Sequence, residues 1–344
     1  MGLSFPKDLA AWQSWQRRRH RLRWVKSSMV SAVRPVRETT SLVLHSGSEA
    51  PEMLVVVDAA HTTFASALVR VLDHLDLERT AVLGTRDLTT LLPAHPWRRV
   101  SVDPGGGPDP SLLPALRATL AVGDFLEAGA LARRVSLARR ATFYVVQHGL
   151  LTPMAPPLPP EAHLLAWSDE DARFWWSGRP GSSTVVGSEL LWSAARSART
   201  TTAPGAPTYL GQLHGAELRR RDLERAARRF CRRWGAIYRP HPSEHDVVSR
   251  LVHASWRRGG ITIDESGRPL ADNVRGVVSV FSTGVLEAAA LGIPSWVDFP
   301  NPPRWLAEFW ERYGMRPYGG DPTPAPARPA EEPAQAIARI LEAL

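Results

Sequence analysis

The sequence predicts an α/β protein of two domains, each built on a doubly wound and mainly parallel sheet, with a basic helix in front. Three observations carry this. From residue 52 onward, apolar runs of four to six residues alternate with longer amphipathic segments, the signature of strands and crossover helices. The series breaks once, at "SAARSARTTTAPGAP" (193–207), and then resumes. The chain has 344 residues, enough for two domains of ordinary size.

The elements follow in order. Residues 1–34 read as a basic amphipathic helix, with Trp12, Trp15, Leu22, Val25 and Met29 recurring at three- and four-residue steps between arginines. Three settings fit it: an anionic membrane surface against residues 8–34, the protein's own body, or nucleic acid. Residues 35–51, rich in Ser, Thr, Pro and Gly, read as a linker. In the N-terminal domain, 52–192, "MLVVVD", "TAVLG", "RRVSV", "TFYVVQHG", "HLLAWS" and "STVVG" read as strands. "TTFASALVRVLDHL", "PSLLPALRATLAVGDFLEAGALARRV" and "DEDARFWWSG" read as helices. Residues 193–207 form the hinge. In the C-terminal domain, 208–318, "TYLGQL", "AIYRPHP", "GITID", "GVVSVFS" and "IPSWVDF" are the expected strands, with four helices between and after them. A Pro-rich stretch and a short helix, 319–344, end the chain. Ligands of such sheets sit beyond the carboxyl ends of the strands, here expected in the cleft that the two domains face.

Composition narrows the function. At 44% apolar and 22% charged residues the chain is globular rather than disordered. One cysteine, Cys231, excludes an intrachain disulfide and a thiolate metal cluster, and suits a reducing cytoplasm. A formal charge of +8 favours anionic partners. No run is apolar enough to span a bilayer, and no secretory signal opens the chain. Dinucleotide, Walker, zinc-ligand and nucleophile-elbow motifs are absent, and "DPGGGPDP" reads as a loop. No metal or cofactor is expected.

Three motifs follow predicted strands. In "YRPHPSEHD", Pro240 and Pro242 stiffen the turn, so His241 is expected at the strand tip above the next helix. Ser243 is the expected N-cap with Asp246 three residues on, and Arg239 and His241 beside that terminus make an anion site. In "VFSTGVLEAAALGIP", the hydroxyls of Ser282 and Thr283 and the N–H of Gly284 suit phosphate oxygens. Glu287, one turn on, suits ribose hydroxyls. In "YVVQHGLLTP", Gln147 and His148 end a strand and Gly149 permits a tight turn. Asp58 and His61 follow the first strand as a candidate base, or as helix caps, and His214 and Glu217 sit at another strand-to-helix corner.

A strand-end Gln-His-Gly, an Arg-x-His-Pro, and a Ser-Thr-Gly-x-x-Glu-Ala before Gly-x-Pro resemble the GT-B glycosyltransferases of bacterial envelope polysaccharides. The resemblance is to capsule ketodeoxyoctulosonate transferases, sialyltransferases with a His-Pro motif, and teichoic-acid glycerophosphotransferases. It spans most of residues 52–315. It implies two Rossmann-like domains, an acceptor domain and then a nucleotide-donor domain. It also implies donor-phosphate contacts from His241, Ser282 and Thr283, ribose binding by Glu287, and transfer without a metal. The donor would be a nucleotide-sugar, by resemblance cytidine-linked. The acceptor would be a polysaccharide or a lipid-linked glycan at the inner face of the cell membrane. The acidic motif of the sialyltransferases has no clear counterpart, which leaves the base open among His148, Asp58 and His61. Three other readings stay open: a nucleic-acid-binding protein acting through its basic N-terminus, a sugar-nucleotide epimerase, and an inactive GT-B relative.

Overall fold

A computed structural model describes residues 2–19, 42–58, 64–103, 113–197, 205–272 and 275–344. The chain divides into two units, Gly2–Leu190 with Pro329–Leu344, and Leu191–Arg328.

In the first unit the elements are α1 (Leu9–Arg19), β1 (Leu42–Ser46), β2 (Met53–Val57), β3 (Thr80–Gly84), β4 (Arg98–Val102), β5 (Ala118–Ala121), α2 (Glu127–Arg139), β6 (Thr142–Val146), β7 (His163–Ala166), α3 (Asp169–Trp176) and β8 (Ser182–Val185). Wide turns over Ala65–Val69 tighten into 3-10 turns over Arg70–His74, where a regular helix is expected from the sequence. Eight strands lie in the order β4-β1-β3-β2-β5-β6-β7-β8. β1 is antiparallel to both of its neighbours, and the rest of the sheet is parallel. The parallel strands run outward from β2 to β3 and then cross back to β5. The topological switch therefore falls between β2 and β5, where doubly wound sheets bind ligands. Every residue of β2 is buried. Leu54 and Val56 enter one apolar core, and Met53, Val55 and Val57 enter the core on the other face. A strand covered on both sides has no polar position, which explains the unbroken run "MLVVV".

Next come α4 (Glu189–Arg196), β9 (Thr208–Leu210), α5 (Arg220–Trp234), β10 (Ile237–Arg239), α6 (Val247–Arg258), β11 (Val277–Ser279), α7 (Thr283–Ala290), β12 (Ser295–Val297), α8 (Arg304–Arg312) and α9 (Pro333–Glu342). The second unit's four strands are parallel, in the order β10-β9-β11-β12. Its switch falls between β9 and β11. Tyr209 and Tyr238 are register partners and stack on one face of the sheet, with ring centroids 6.2 Å apart. α5 covers that face through Phe230 against Tyr209, and α6 covers it through Trp256 against Tyr238. α5 buries Leu223, Ala226, Ala227, Phe230 and Cys231, a stripe at helical spacing, and ends where Gly235 takes the left-handed backbone at φ 62°.

Several expectations need correction. The linker over 35–51 contains β1, a buried strand inserted beside β3. The long helix expected over 110–135 contains β5, buried between β2 and β6; neighbouring strands override a helix-like composition. "GITID" makes one bridge, Ile263 to Tyr238, rather than a strand. Residues 193–196 of the hinge are helical, and 198–204 lie outside the described residues. The terminal helix α9 belongs to the first unit, where Ile337 and Leu341 join the core formed by Leu68, Val71 and Leu72. α1 docks on its own unit: Trp12 is 7% exposed, and its Nε1 donates to the Met154 carbonyl at 2.8 Å. The remainder of the N-terminal segment, 20–34, lies outside the described residues.

Candidate functional site

The second unit gathers most of the predicted residues at the carboxyl ends of β9, β10 and β11. His241 follows β10. Its Nδ1 accepts from the Ser243 backbone N–H at 3.0 Å. A backbone donor requires a bare Nδ1, so the neutral ring carries its proton on Nε2. His214, beyond β9, stacks on His241 with centroids 3.8 Å apart and planes 20° from parallel. Glu217 lies half-buried beside Gly215 in the same loop.

Beneath this pair lies Glu244, 4% exposed. Its Oε1 accepts from the Leu213 N–H at 2.9 Å, and its Oε2 accepts from the Tyr238 hydroxyl at 2.9 Å and sits 3.1 Å from His253 Nε2. Burial pushes its pKa up, but hydrogen bonds from His253, Tyr238 and the backbone outweigh this and hold it below the ordinary carboxylate range. Glu244 therefore ties the loops carrying His214 and His241 to β10 and α6. Nothing local in "SEHD" announces this role, because a glutamate among polar residues reads as solvated. The turn also differs from expectation: Asp246, not Ser243, caps α6, accepting from the Ser249 N–H at 3.1 Å. The helix starts three residues later than expected, and the Ser243 N–H goes to His241.

β11 carries the second cluster. Ser282 caps α7 and accepts from the Gly284 N–H at 3.1 Å, and Thr283 is the first helical residue. A Cβ at Gly284 would stand 2.7 Å from Leu210 Cδ1, so the glycine lets α7 approach the end of β9. Gln212, unremarked in the sequence, joins the tips. Its Oε1 accepts from Ser279 Oγ at 3.1 Å and from the Phe281 N–H at 2.9 Å. β10 and β11 are thus not adjacent. They flank β9, and the loop after β9 links them through Gln212 and His214. Arg239 donates to the Arg268 carbonyl and also acts on Glu287. Burial raises the Glu287 pKa, and the Arg239 charge opposes that rise. This end of the sheet offers a cation, a helix N-terminus and an imidazole N–H donor, which are the groups an anionic ligand requires.

In the first unit, Asp58 ends β2 beside the switch point. It is 8% exposed, and its Oδ1 accepts from the Ala128 N–H at 2.9 Å. It thereby caps the start of α2, because the switch brings the α2 terminus over β2. Burial raises its pKa to about 6, against the pull of the Ala128 and Gly129 N–H groups. His148 packs on Phe64 at 4.5 Å with its Nδ1 buried and unbonded, and burial lowers its pKa to about 4. It is neutral at pH 7. Gln147 does not line a site. It is 1% exposed and donates to Asp171 at 2.9 Å and to the Gly149 carbonyl at 3.1 Å, while its Oε1 accepts from the Trp167 N–H. Its amide is spent joining β6, β7 and α3. Gly149 does not take the left-handed backbone. His61 lies outside the described residues.

Among the described residues no helix is long and apolar enough to cross a membrane, and no group of three or more His, Cys, Asp or Glu is placed to hold a metal. No family model matches the sequence. No curated protein matches it either. Two Rossmann-like α/β units with these topologies define the GT-B fold. A solved structure that the chain resembles has this fold: UDP-GlcNAc 2-epimerase from Methanocaldococcus jannaschii, in complex with UDP-GlcNAc and UDP. The TM-score is 0.52 at 12% identity, covering 85% of this chain and 99% of that one. At that identity the likeness establishes the fold and assigns no residue.

Proposed function

We propose that the protein is a nucleotide-sugar enzyme that holds the diphosphate of its substrate at the β9, β10 and β11 tips of the second unit. One observation supports this: the His241–His214 stack, Arg239 and the Ser282 helix terminus all lie at the carboxyl ends of three neighbouring parallel strands, β9, β10 and β11. His241 Nε2–H and the α7 terminus would donate to phosphate oxygens, and Glu287 would accept from ribose hydroxyls. Likeness to an epimerase that binds UDP-GlcNAc and UDP supports a nucleotide-sugar ligand and favours isomerisation of the sugar as the reaction. Inverting a C–H centre needs one group to take a proton and another to return it. Of the two candidate bases among the described residues, Asp58, raised to about 6, is suited to exchanging protons near neutral pH, whereas His148, lowered to about 4, is a weak base. A second reading, transfer of the sugar to an envelope glycan, is favoured by the Gln-His-Gly, His-Pro and Ser-Thr-Gly motifs.

Melting the protein with UDP, UDP-GlcNAc, CMP, CDP and GDP tests the binding claim. At least one should raise Tm, and His241→Ala should abolish that rise without lowering the ligand-free Tm. If none of them protects, the reading fails. Incubation with the protected nucleotide's sugar then separates the reactions. An isomer formed without any acceptor means epimerisation, whereas turnover only on adding an acceptor means transfer.

A further inference from the structure

The outward side of the second unit carries a surface that the reaction does not use. α5 and α6 lie side by side on one sheet face. Arg220 joins them at one end, 3.4 Å from Asp246 and donating to Ser249 Oγ at 2.8 Å. At the other end the Arg232 guanidinium reaches Gly259. Opposite the buried stripe of α5, helical spacing places Arg221, Arg225, Arg228 and Arg232 in one outward row. Of these four, only Arg225 has an ion pair, to Asp222, among the described residues. Arg229 and Arg233 flank the row, and six arginines with one carboxylate, Glu224, line a shallow depression of about 730 Å³. On α6 the same construction puts Val247 and Leu251 outward, with Val248 beside them, at 45%, 64% and 49% exposure. Trp234, 44% exposed, ends α5 on the side of its buried stripe, against Tyr318 with ring centres 5.3 Å apart, and takes no part in the row.

We propose that this α5–α6 face docks on an anionic phospholipid surface. A row of guanidinium groups matches lipid phosphates. Three aliphatic side chains on the neighbouring helix gain by leaving water for the headgroup–acyl boundary. Nucleic acid fits less well, because Val247, Val248 and Leu251 cannot stack on bases and would stay wet along a phosphate backbone. The surface is distinct from residues 8–34. It lies on the unit that holds the proposed nucleotide site, and Val247 opens the helix that follows the His241 turn.

Flotation of the full chain with vesicles tests this, using phosphatidylcholine alone and phosphatidylcholine mixed with phosphatidylglycerol. Binding is expected only to the mixed vesicles and should weaken as salt rises. R221E/R228E/R232E should bind about a hundredfold more weakly, at about fivefold for each arginine removed. Leu251→Asp, on a side chain already mostly in water, should cost about tenfold and decides the matter if the triple variant does not fold. Four results would overturn the proposal: no vesicle binding, equal binding to neutral vesicles, binding untouched by both variants but lost in R17E/R18E, or tighter binding to RNA that ignores Leu251→Asp.

Discussion

Asp58 and His148 are buried titratable groups whose pKa values move in opposite directions relative to solution. Folded Asp58 keeps its proton up to about pH 6, whereas the unfolded side chain releases it near 3.8. Between those values the folded state binds more protons, so this group makes stability fall as pH rises. His148 does the reverse. Unfolded, it protonates near 6.5, and folded only near 4, so its contribution falls as pH drops through that window. Asp58→Asn removes the first effect and leaves the second. Its stability relative to the parent should be unchanged near pH 4 and higher by about 3 kcal/mol at pH 7.5, read from urea midpoints at each pH. A constant difference across pH would show that Asp58 titrates normally. Glu244 is the residue on which three donors depend. Glu244→Ala strands Tyr238, His253 and the Leu213 N–H without a partner. It should cost about 3–5 kcal/mol, and a loss under about 1 kcal/mol would falsify its role as the hub. The sequence singled out His214 and His241 separately, because a histidine at a strand tip is visible locally. Their stacking was not visible, since it depends on β9 and β10 being neighbours.

At the scale of elements, α2 depends on a glycine. A Cβ at Gly129 would stand 2.1 Å from the Gly123 carbonyl oxygen, a backbone atom that cannot rotate away. Gly129→Ala should therefore destabilise by about 1–3 kcal/mol net, despite the ~1 kcal/mol that alanine ordinarily gains over glycine in a helix. Thermal melting decides the sign, and a stabilised variant would show that α2 can shift without cost. The close approach exists because α2 must bring its N–H groups down to Asp58 at the end of β2. Most strands were legible as apolar runs, since a strand covered on both faces leaves no position for a polar residue. β5 and β1 were not. "ATLA" is too short and too alanine-rich to stand out inside helical sequence, and "LVLHS" lies inside a stretch that reads as linker. Both are strands because neighbours on either side supply their hydrogen bonds.

For the whole molecule, the end of the chain stabilises its beginning. Ile337, 2% exposed, packs with Leu68, Val71 and Leu72 of the first unit although the second unit lies between them in sequence. Ile337→Ala should cost about 2–5 kcal/mol and open the first unit to proteolysis. A nucleotide bound to the second unit should not restore it. Cleavage that instead begins within 191–328 would refute this division of the chain. The units part between Leu190 and Leu191. The Pro-rich tail of the sequence gave no sign of the return.

By itself the sequence determined the fold class, because alternation of apolar runs with amphipathic segments admits few arrangements other than two wound sheets. It also marked the strand tips that carry His241, Ser282 and Asp58, since chemistry-bearing residues directly after a strand stand out locally. Only tertiary structure decided what those residues touch. Strand order set β9 between β10 and β11, and the return crossing after β3 laid the α2 terminus on Asp58. Burial in the resulting cores then moved the proton affinities of Asp58 and His148, and hydrogen bonds from distant segments moved that of Glu244 against its burial. Each of these outcomes depends on contacts between segments far apart in the chain, and local spacing cannot encode such contacts.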